Sequence, residues 1–288
     1  MGRKRNSQRT GTPTLAPAED NTSPATMMAQ GGDLLSFVTP TEFVDLPSQG
    51  RFYPAGHPLS GKDTVEIRHM TAKEEDILMS ESLLRKGLAL DRMLQSLLVD
   101  TTLNIDEFLV GDKNALTVAA RTTGFGSMYT TNLTCPSCAA VNETEFDLDT
   151  LELHTATELP EEISATDHGT FIFQLPTTGV HAEVRLLTAT VEKQMAEATL
   201  KKKKLNLPDT RSTDLLKAVL VSLNGVEDPS MIHQFVDLMP VKDSRYLRTL
   251  YEQVKPDIDL THAFICEDCS YAGEVTMPLT AQFFWPNI

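Results

Sequence analysis

Cys135-Pro-Ser-Cys138 and Cys266-Glu-Asp-Cys269 hold all four cysteines of a 288-residue chain. One C-x-x-C puts two thiols on a tight turn, and two such turns supply the four thiolates of a tetrahedral zinc site. The flanks of both pairs read as strand. Tyr129, Leu133, Val141, Phe146 and Leu148 surround the first, and Phe264, Ile265, Tyr271, Val275 and Met277 surround the second. Each side therefore reads strand, knuckle, strand, as in a zinc ribbon. The 127 residues between Cys138 and Cys266 (266 − 138 − 1) are far more than an ordinary ribbon uses. The alternative is two separate sites, each completed by a histidine or by a partner. His262 stands four positions before Cys266, and nothing comparable precedes Cys135. A thioredoxin-like redox pair needs a helix N-terminus to activate its thiol. The text after Cys138, Ala139 to Asp149, alternates like a strand instead.

Outward from the cysteines the chain repeats itself. Asp112 precedes Cys135 by 23 positions (135 − 112), and Asp243 precedes Cys266 by 23 (266 − 243). At the same offset Ala119 matches Leu250, Leu133 matches Phe264 and Leu148 matches Leu279. Further upstream, Ile67-Arg-His-Met-Thr71-Ala72 is answered by Val184-Arg-Leu-Leu-Thr188-Ala189. There the offset is 117 (185 − 68) against 131 (266 − 135), so the second copy holds 14 extra residues, placed in a loop from Lys201–Lys204 to Asp214. A diverged duplication explains the long gap, because each repeat contributes one knuckle. The expected fold is α+β, an internally duplicated helix-plus-β-hairpin module whose two C-x-x-C knuckles form a split zinc ribbon with structural Zn2+ held by Cys135, Cys138, Cys266 and Cys269.

Within the repeats, Val65, Ile67 and His69 alternate as a strand. Thr71-Ala-Lys-Glu74 has capping-box spacing, with helix continuing through Leu78 and Leu84. Further helices are expected at Asp91–Val99, from Asp112, up to Lys204, at Asp214–Leu223 and at Pro229–Met239. The expected organisation is a disordered arm over 1–32, an extended strap over 33–62, a first repeat over 63–155 and a second over 156–288. The strap is broken by Pro40, Pro47, Pro54 and Pro58, so it suits neither helix nor central strand. It serves either as a cover over its own core or as a partner-binding segment.

The chain carries 25 Lys+Arg against 40 Asp+Glu, a net charge of −15, with 41% hydrophobic and 23% charged residues. No apolar run reaches the ~18–20 residues of a membrane span. No apolar stretch follows the basic residues Arg3, Lys4, Arg5 and Arg9, so no secretory signal is expected. Many zinc ribbons bind nucleic acid through basic residues. Residues 122–184 contain ten acids and residues 256–288 contain five, with no Lys or Arg in either stretch. Phosphate contacts therefore lack donors near both knuckles. Lys201–Lys204 reads as a solvated helix end. The seven histidines have no H-x-x-x-H or H-E-x-x-H spacing, and Gly124-Phe-Gly126 lacks the rest of a dinucleotide fingerprint. Asp147 and Asp149 alternate with Phe146 and Leu148 as the wet face of a strand. No catalytic constellation stands out, and no enzyme is expected.

Phe43-Val-Asp-Leu-Pro-Ser-Gln-Gly-Arg-Phe-Tyr-Pro54 is followed by Ile67-Arg-His-Met-Thr-Ala-Lys-Glu-Glu75, Leu109-Val-Gly-Asp112, Arg121, Gly126, Tyr129 and Cys135-Pro-Ser-Cys138. This order resembles the base-plate protein family of contractile-tailed, T-even-like bacteriophages over roughly residues 37–150. The second cysteine pair and Phe283-Phe-Trp-Pro286 are similar to the ends of longer phage members. The resemblance implies a non-enzymatic structural component of the tail baseplate hub. It would hold neighbouring hub or tape-measure proteins in a hetero-oligomeric virion assembly put together in the host cytoplasm. A non-virion assembly chaperone is the alternative, and a zinc-ribbon nucleic-acid regulator a weaker one. Partner-binding candidates are Phe43, Leu46, Phe52 and Tyr53 in the strap and Phe283, Phe284 and Trp285 near the end. The terminal aromatics either pack back on the preceding strand or anchor a neighbouring subunit.

Overall fold

Strand β1 (Thr41–Asp45) pairs antiparallel with strand β2 (Thr64–Arg68), and their apolar residues Val44, Val65 and Ile67 face inward. The computed structural model describes residues 39–156, 159–277, 279 and 281–285; the 1–32 arm and the start of the strap lie outside the described residues. After β2, Thr71 opens helix α1 (Ala72–Met79) as the sequence spacing expects. The Glu74 carboxylate accepts from the Thr71 amide at 3.0 Å and from its hydroxyl at 2.5 Å. Glu74 is fully buried, and its charge is met by the Arg68 guanidinium at 2.8 Å and the Ser96 hydroxyl at 3.0 Å. These donors hold its carboxyl below the usual range against the opposing effect of burial.

Helix α2 (Glu81–Lys86) ends at Gly87, whose φ of 67° is the left-handed C-cap that glycine accepts without strain. Helix α3 (Ala89–Leu97) buries Met93, Leu94 and Leu97. The expected helix to Val99 stops earlier, because Leu98 bridges to Ile67 and the Val99 amide donates to Glu66 O at 3.2 Å. Helix α4 (Val110–Phe125) then leads into the hairpin of β3 (Met128–Thr134) and β4 (Val141–Asp147).

Strand β5 (Leu153–His154) closes the first half, and the second half opens with a four-stranded antiparallel sheet. Its strands are β6 (Ser164–Ala165), β7 (Thr170–Gln174), β8 (His181–Arg185) and β9 (Leu220–Leu223), in that order. Helix α5 (Ala189–Lys204) runs to Lys204 as the sequence expects, and Lys201–Lys204 form its last turn, where they complement the helix dipole. Helix α6 (Arg211–Val219) is shorter than the expected Asp214–Leu223 helix: Leu220 to Leu223 is strand, with Val184 opposite Leu220 and Ala182 opposite Leu223. An apolar run of this length fits either state, and the open edge of β8 decides for strand. Helices α7 (Pro229–Leu238) and α8 (Val241–Val254) follow. Strand β10 (Asp257–Ile258) returns to pair with β5, and a hairpin of β11 (Thr261–Ile265) and β12 (Ala272–Thr276) precedes a final 3-10 turn, Ala281–Phe284.

Several local arrangements occur twice. Thr41 lies opposite Arg68, and Thr170 lies opposite Arg185. Each first strand ends in Leu-Pro: the Leu46 amide donates to Asp63 O at 2.7 Å and the Leu175 amide to Val180 O at 2.9 Å. The Arg68 Nε donates to Ser96 O near the end of α3 at 2.9 Å, and Arg185 Nε donates to Ala218 O near the end of α6 at 3.1 Å. Leu98 bridges to Ile67 where Leu220 pairs with Val184. A buried aspartate braces each Leu-Pro turn. Asp112 of α4 accepts from the Ser48 amide at 2.9 Å, the Ser48 hydroxyl at 2.6 Å and the Tyr53 hydroxyl at 2.7 Å. Asp243 of α8 accepts from the amides of Thr177 at 2.7 Å and Thr178 at 3.0 Å, and from the Thr178 hydroxyl at 2.8 Å.

The halves share one core. Leu46, Leu78, Met93, Phe108, Tyr129, Phe171 and Leu247 are all buried in a single apolar cluster. An isolated backbone bridge between Leu109 and Thr188 ties them: the Val110 amide donates to Leu187 O at 3.0 Å and the Ala189 amide to Phe108 O at 2.8 Å. Gly111 sits where a Cβ would come within 2.0 Å of Pro256 O, so only glycine lets α4 lie this close to β10.

Candidate metal centre

Each hairpin of the β3–β4 and β11–β12 pairs ends in a knuckle of the same construction. In the first, the Cys135 amide donates to Ala140 O at 2.8 Å and the Ala139 amide returns to Cys135 O at 2.9 Å. In the second, the Cys266 amide donates to Tyr271 O at 2.9 Å and the Ser270 amide to Cys266 O at 3.0 Å. Ala139 and Ser270 close their turns with φ of 60° and 56°, the left-handed conformation that L side chains seldom adopt. This paired geometry directs all four thiols to one point.

The sulfurs of Cys135, Cys138, Cys266 and Cys269 lie within 4.8 Å of one another. Cys135 Sγ is 3.7 Å from Cys269 Sγ, and Cys138 Sγ is 3.7 Å from Cys266 Sγ. Each close pair takes one sulfur from each half. A tetrahedron with metal–sulfur bonds of about 2.3 Å has edges of about 3.8 Å. The cluster therefore has the size of a four-thiolate metal site, and the separation rules out two sites in different places. His262 is not part of it: its ring packs edge-on against Phe146 with centroids 4.8 Å apart.

The site is half enclosed. Cys135 and Cys266 are buried with Phe264 in a small apolar cluster of their own, against Leu133, Ala140, Tyr271 and Val275, while Cys138 and Cys269 face solvent. Asn142 links the two knuckles. Its side-chain nitrogen donates to Cys266 Sγ at 3.6 Å, and its oxygen accepts from the Glu267 amide at 2.7 Å. The Ser137 amide donates to Cys135 Sγ at 3.4 Å. Amides of Cys269 and then Asp268 hold the Cys266 thiol down to about 6 against the cost of burial. At Cys138 the Ala140 amide lowers the pKa, but the neighbouring thiols of Cys269, Cys266 and Cys135 outweigh it and push the group up to about 12. Four sulfurs this close cannot all carry charge alone, and a bound cation is what allows all of them to ionise.

The other sequence candidates sit elsewhere. Leu46 and Tyr53 are buried in the shared core, with Tyr53 bonded to Asp112 and Phe52 half-buried against Phe171 at 5.2 Å. Phe283 and Phe284 are fully buried: Phe283 packs edge-on to Tyr129 at 4.8 Å and Phe284 to Phe125 at 6.1 Å, with Trp285 beside them. Arg121 locks this end in place, donating to Phe283 O at 3.2 Å and Gly126 O at 2.7 Å. Of the seven, Phe43 is the one that faces solvent, at 69% exposure. Asp147 and Asp149 are both exposed, but the expected wet strand face holds only Asp147: β4 ends there, and Asp149 lies in a 3-10 turn, Leu148–Thr150, that the Asp147 carboxylate caps by accepting from the Asp149 amide at 3.2 Å. Sequence reasoning passed over Asn142 and the two aspartate braces. The signal was present in Leu46-Pro-Ser-Gln-Gly50 and Leu175-Pro-Thr-Thr-Gly179, an echo at an offset of 129 (175 − 46).

Compared with known families, the chain matches the one described as T4 bacteriophage base plate protein over residues 41–285. No curated protein and no solved structure matches it.

Proposed function

The chain belongs to the T4 bacteriophage base plate protein family, and from that premise we propose that it is a structural, non-enzymatic component of the tail baseplate hub that holds neighbouring hub or tape-measure proteins. The family match across both halves is the observation that carries this reading. Among the described residues no helix is long and apolar enough to cross a membrane. Family membership implies a place in the virion tail; the finer reading adds assembly in the host cytoplasm before incorporation.

In this reading the scaffold is a duplicated module clamped by zinc. The two turns on Asp112 and Asp243, the two Thr–Arg registers and the two knuckles support descent of both halves from one unit. The structural correspondences spread the length difference over several segments instead of placing it in one lysine loop. Four sulfur donors without oxygen suit zinc and not the hard cations. Tying the hairpin tips makes the module rigid enough to transmit load between neighbours. Mass spectrometry of purified virions tests the role: a small, fixed copy number of this chain is expected, and its absence from particles would favour the assembly-chaperone reading. Elemental analysis of the purified chain should find about one zinc per chain.

A further inference from the structure

The two equivalent hairpins differ at one edge. In β7 the polar backbone groups of Thr170 and Ile172 point away from β8 and are taken up by β6: the Thr166 amide donates to Thr170 O at 2.8 Å, and Ser164 lies opposite Ile172. In β1 the contacts to β2 at Pro40, from the His69 amide at 2.8 Å, and at Leu46 fix the alternation. Even-numbered residues of β1 therefore bond to β2, and the backbone groups of Thr41, Phe43 and Asp45 point outward. Among the described residues no strand pairs with that side. Phe43 holds the position of Ile172, but Ile172 is half-buried and Phe43 is exposed.

Beside this edge runs a groove of about 290 Å³, floored by Ala115, Val118 and Ala119 of α4 and by Leu151 and Leu153. Its charged lining consists of Glu42, Asp45 and Asp149, with no Lys or Arg. A second copy of this chain, at net charge −15, is a poor match for such a rim. We propose that the outer edge of β1 is a strand-addition site for an extended segment of a partner protein, apolar with basic residues, which occupies in the first half the place that β6 occupies in the second. Backbone pairing would supply affinity, the groove would take alternate side chains, and the acidic rim would select lysine or arginine. This deepens the baseplate reading by naming its docking surface.

Amide exchange on the full chain tests it, with a synthetic peptide of alternating valine and threonine bearing lysine at both ends as the probe. In the free chain the Phe43 amide should exchange fast while that of Val44 is protected. Saturating peptide should protect Thr41, Phe43 and Asp45, and the same peptide with glutamate ends should not bind. Phe43→Pro, which removes one outward N–H and leaves the β2 ladder intact, should abolish binding, and Phe43→Lys should abolish it through charge with unchanged melting. A Phe43 amide already protected in the free chain would mean the edge is filled from within and would overturn the proposal. So would absence of binding, or equal binding by the glutamate-ended peptide or by both variants. None of these outcomes bears on whether the chain is present in virions, so the two readings fail separately.

Discussion

Asp112 and Asp243 brace the same kind of Leu-Pro turn, yet their surroundings move their carboxyls in opposite directions. Burial dominates at Asp112 and raises it despite the Ser48 and Tyr53 donors. At Asp243 burial acts the same way, but the donors of Thr178 and Thr177 outweigh it and the carboxyl is lowered. Two backbone amides at Asp243 stand against one at Asp112, where a phenol completes the set. A position can keep its geometric task while its electrostatics drift. The knuckles show the opposite behaviour: metal-site geometry tolerates little change, and both keep the same hydrogen bonds and a left-handed residue at the same position, Ala139 and Ser270.

The sharpest way to break this comparison is at the cysteines. Cys135→Ser and Cys266→Ser should each prevent soluble expression or abolish the cooperative melt, because structural zinc contributes on the order of 10 kcal/mol in zinc-finger peptides. Unchanged melting of either variant would show that the knuckles do not hold the halves. Next comes helix packing. Gly111→Ala drives a Cβ into Pro256 O and should cost about 3 kcal/mol in denaturant unfolding, as overpacking against backbone does. The matching position in the second half, Lys242, is exposed, and Lys242→Ala should stay within about 0.5 kcal/mol.

The braces differ more subtly. Asp243→Asn should cost about 2 kcal/mol at neutral pH, since hydrogen bonds to a charged acceptor are lost, and Asp112→Asn about 1. Their pH dependence should run in opposite senses. A lowered folded-state pKa stabilises above the unfolded value of about 3.9, so the Asp243→Asn deficit should shrink as pH falls below about 4. A raised one means the folded state binds its proton more tightly, so the Asp112→Asn deficit should widen as pH falls toward about 4. Urea titrations at several pH values read both. Smallest of all, glutamine at Lys201, Lys203 and Lys204 should change stability by no more than about 0.5 kcal/mol, because these side chains are largely solvated.

Periodicity and spacing carried much of this molecule. The capping box at Thr71 and Glu74, the knuckle hairpins and the convergence of four thiols were readable because each depends on residues close in sequence or repeated at a fixed interval. What escaped were pairings decided at long range. Leu220–Leu223 reads as the end of a helix until β8 presents an edge to it. Leu98 and Val99 leave α3 for the same reason. The burial of Leu46, Tyr53, Phe283 and Phe284 was equally hidden, since an aromatic beside proline looks the same in a strap that covers its own core and in one that reaches for a partner.

The claim that both halves grip one ion is tested most directly by zinc-edge X-ray absorption on the purified chain. A single shell of four sulfurs at about 2.3 Å is expected. A shell containing nitrogen or oxygen, or fewer sulfurs, would mean that the two knuckles do not share a site.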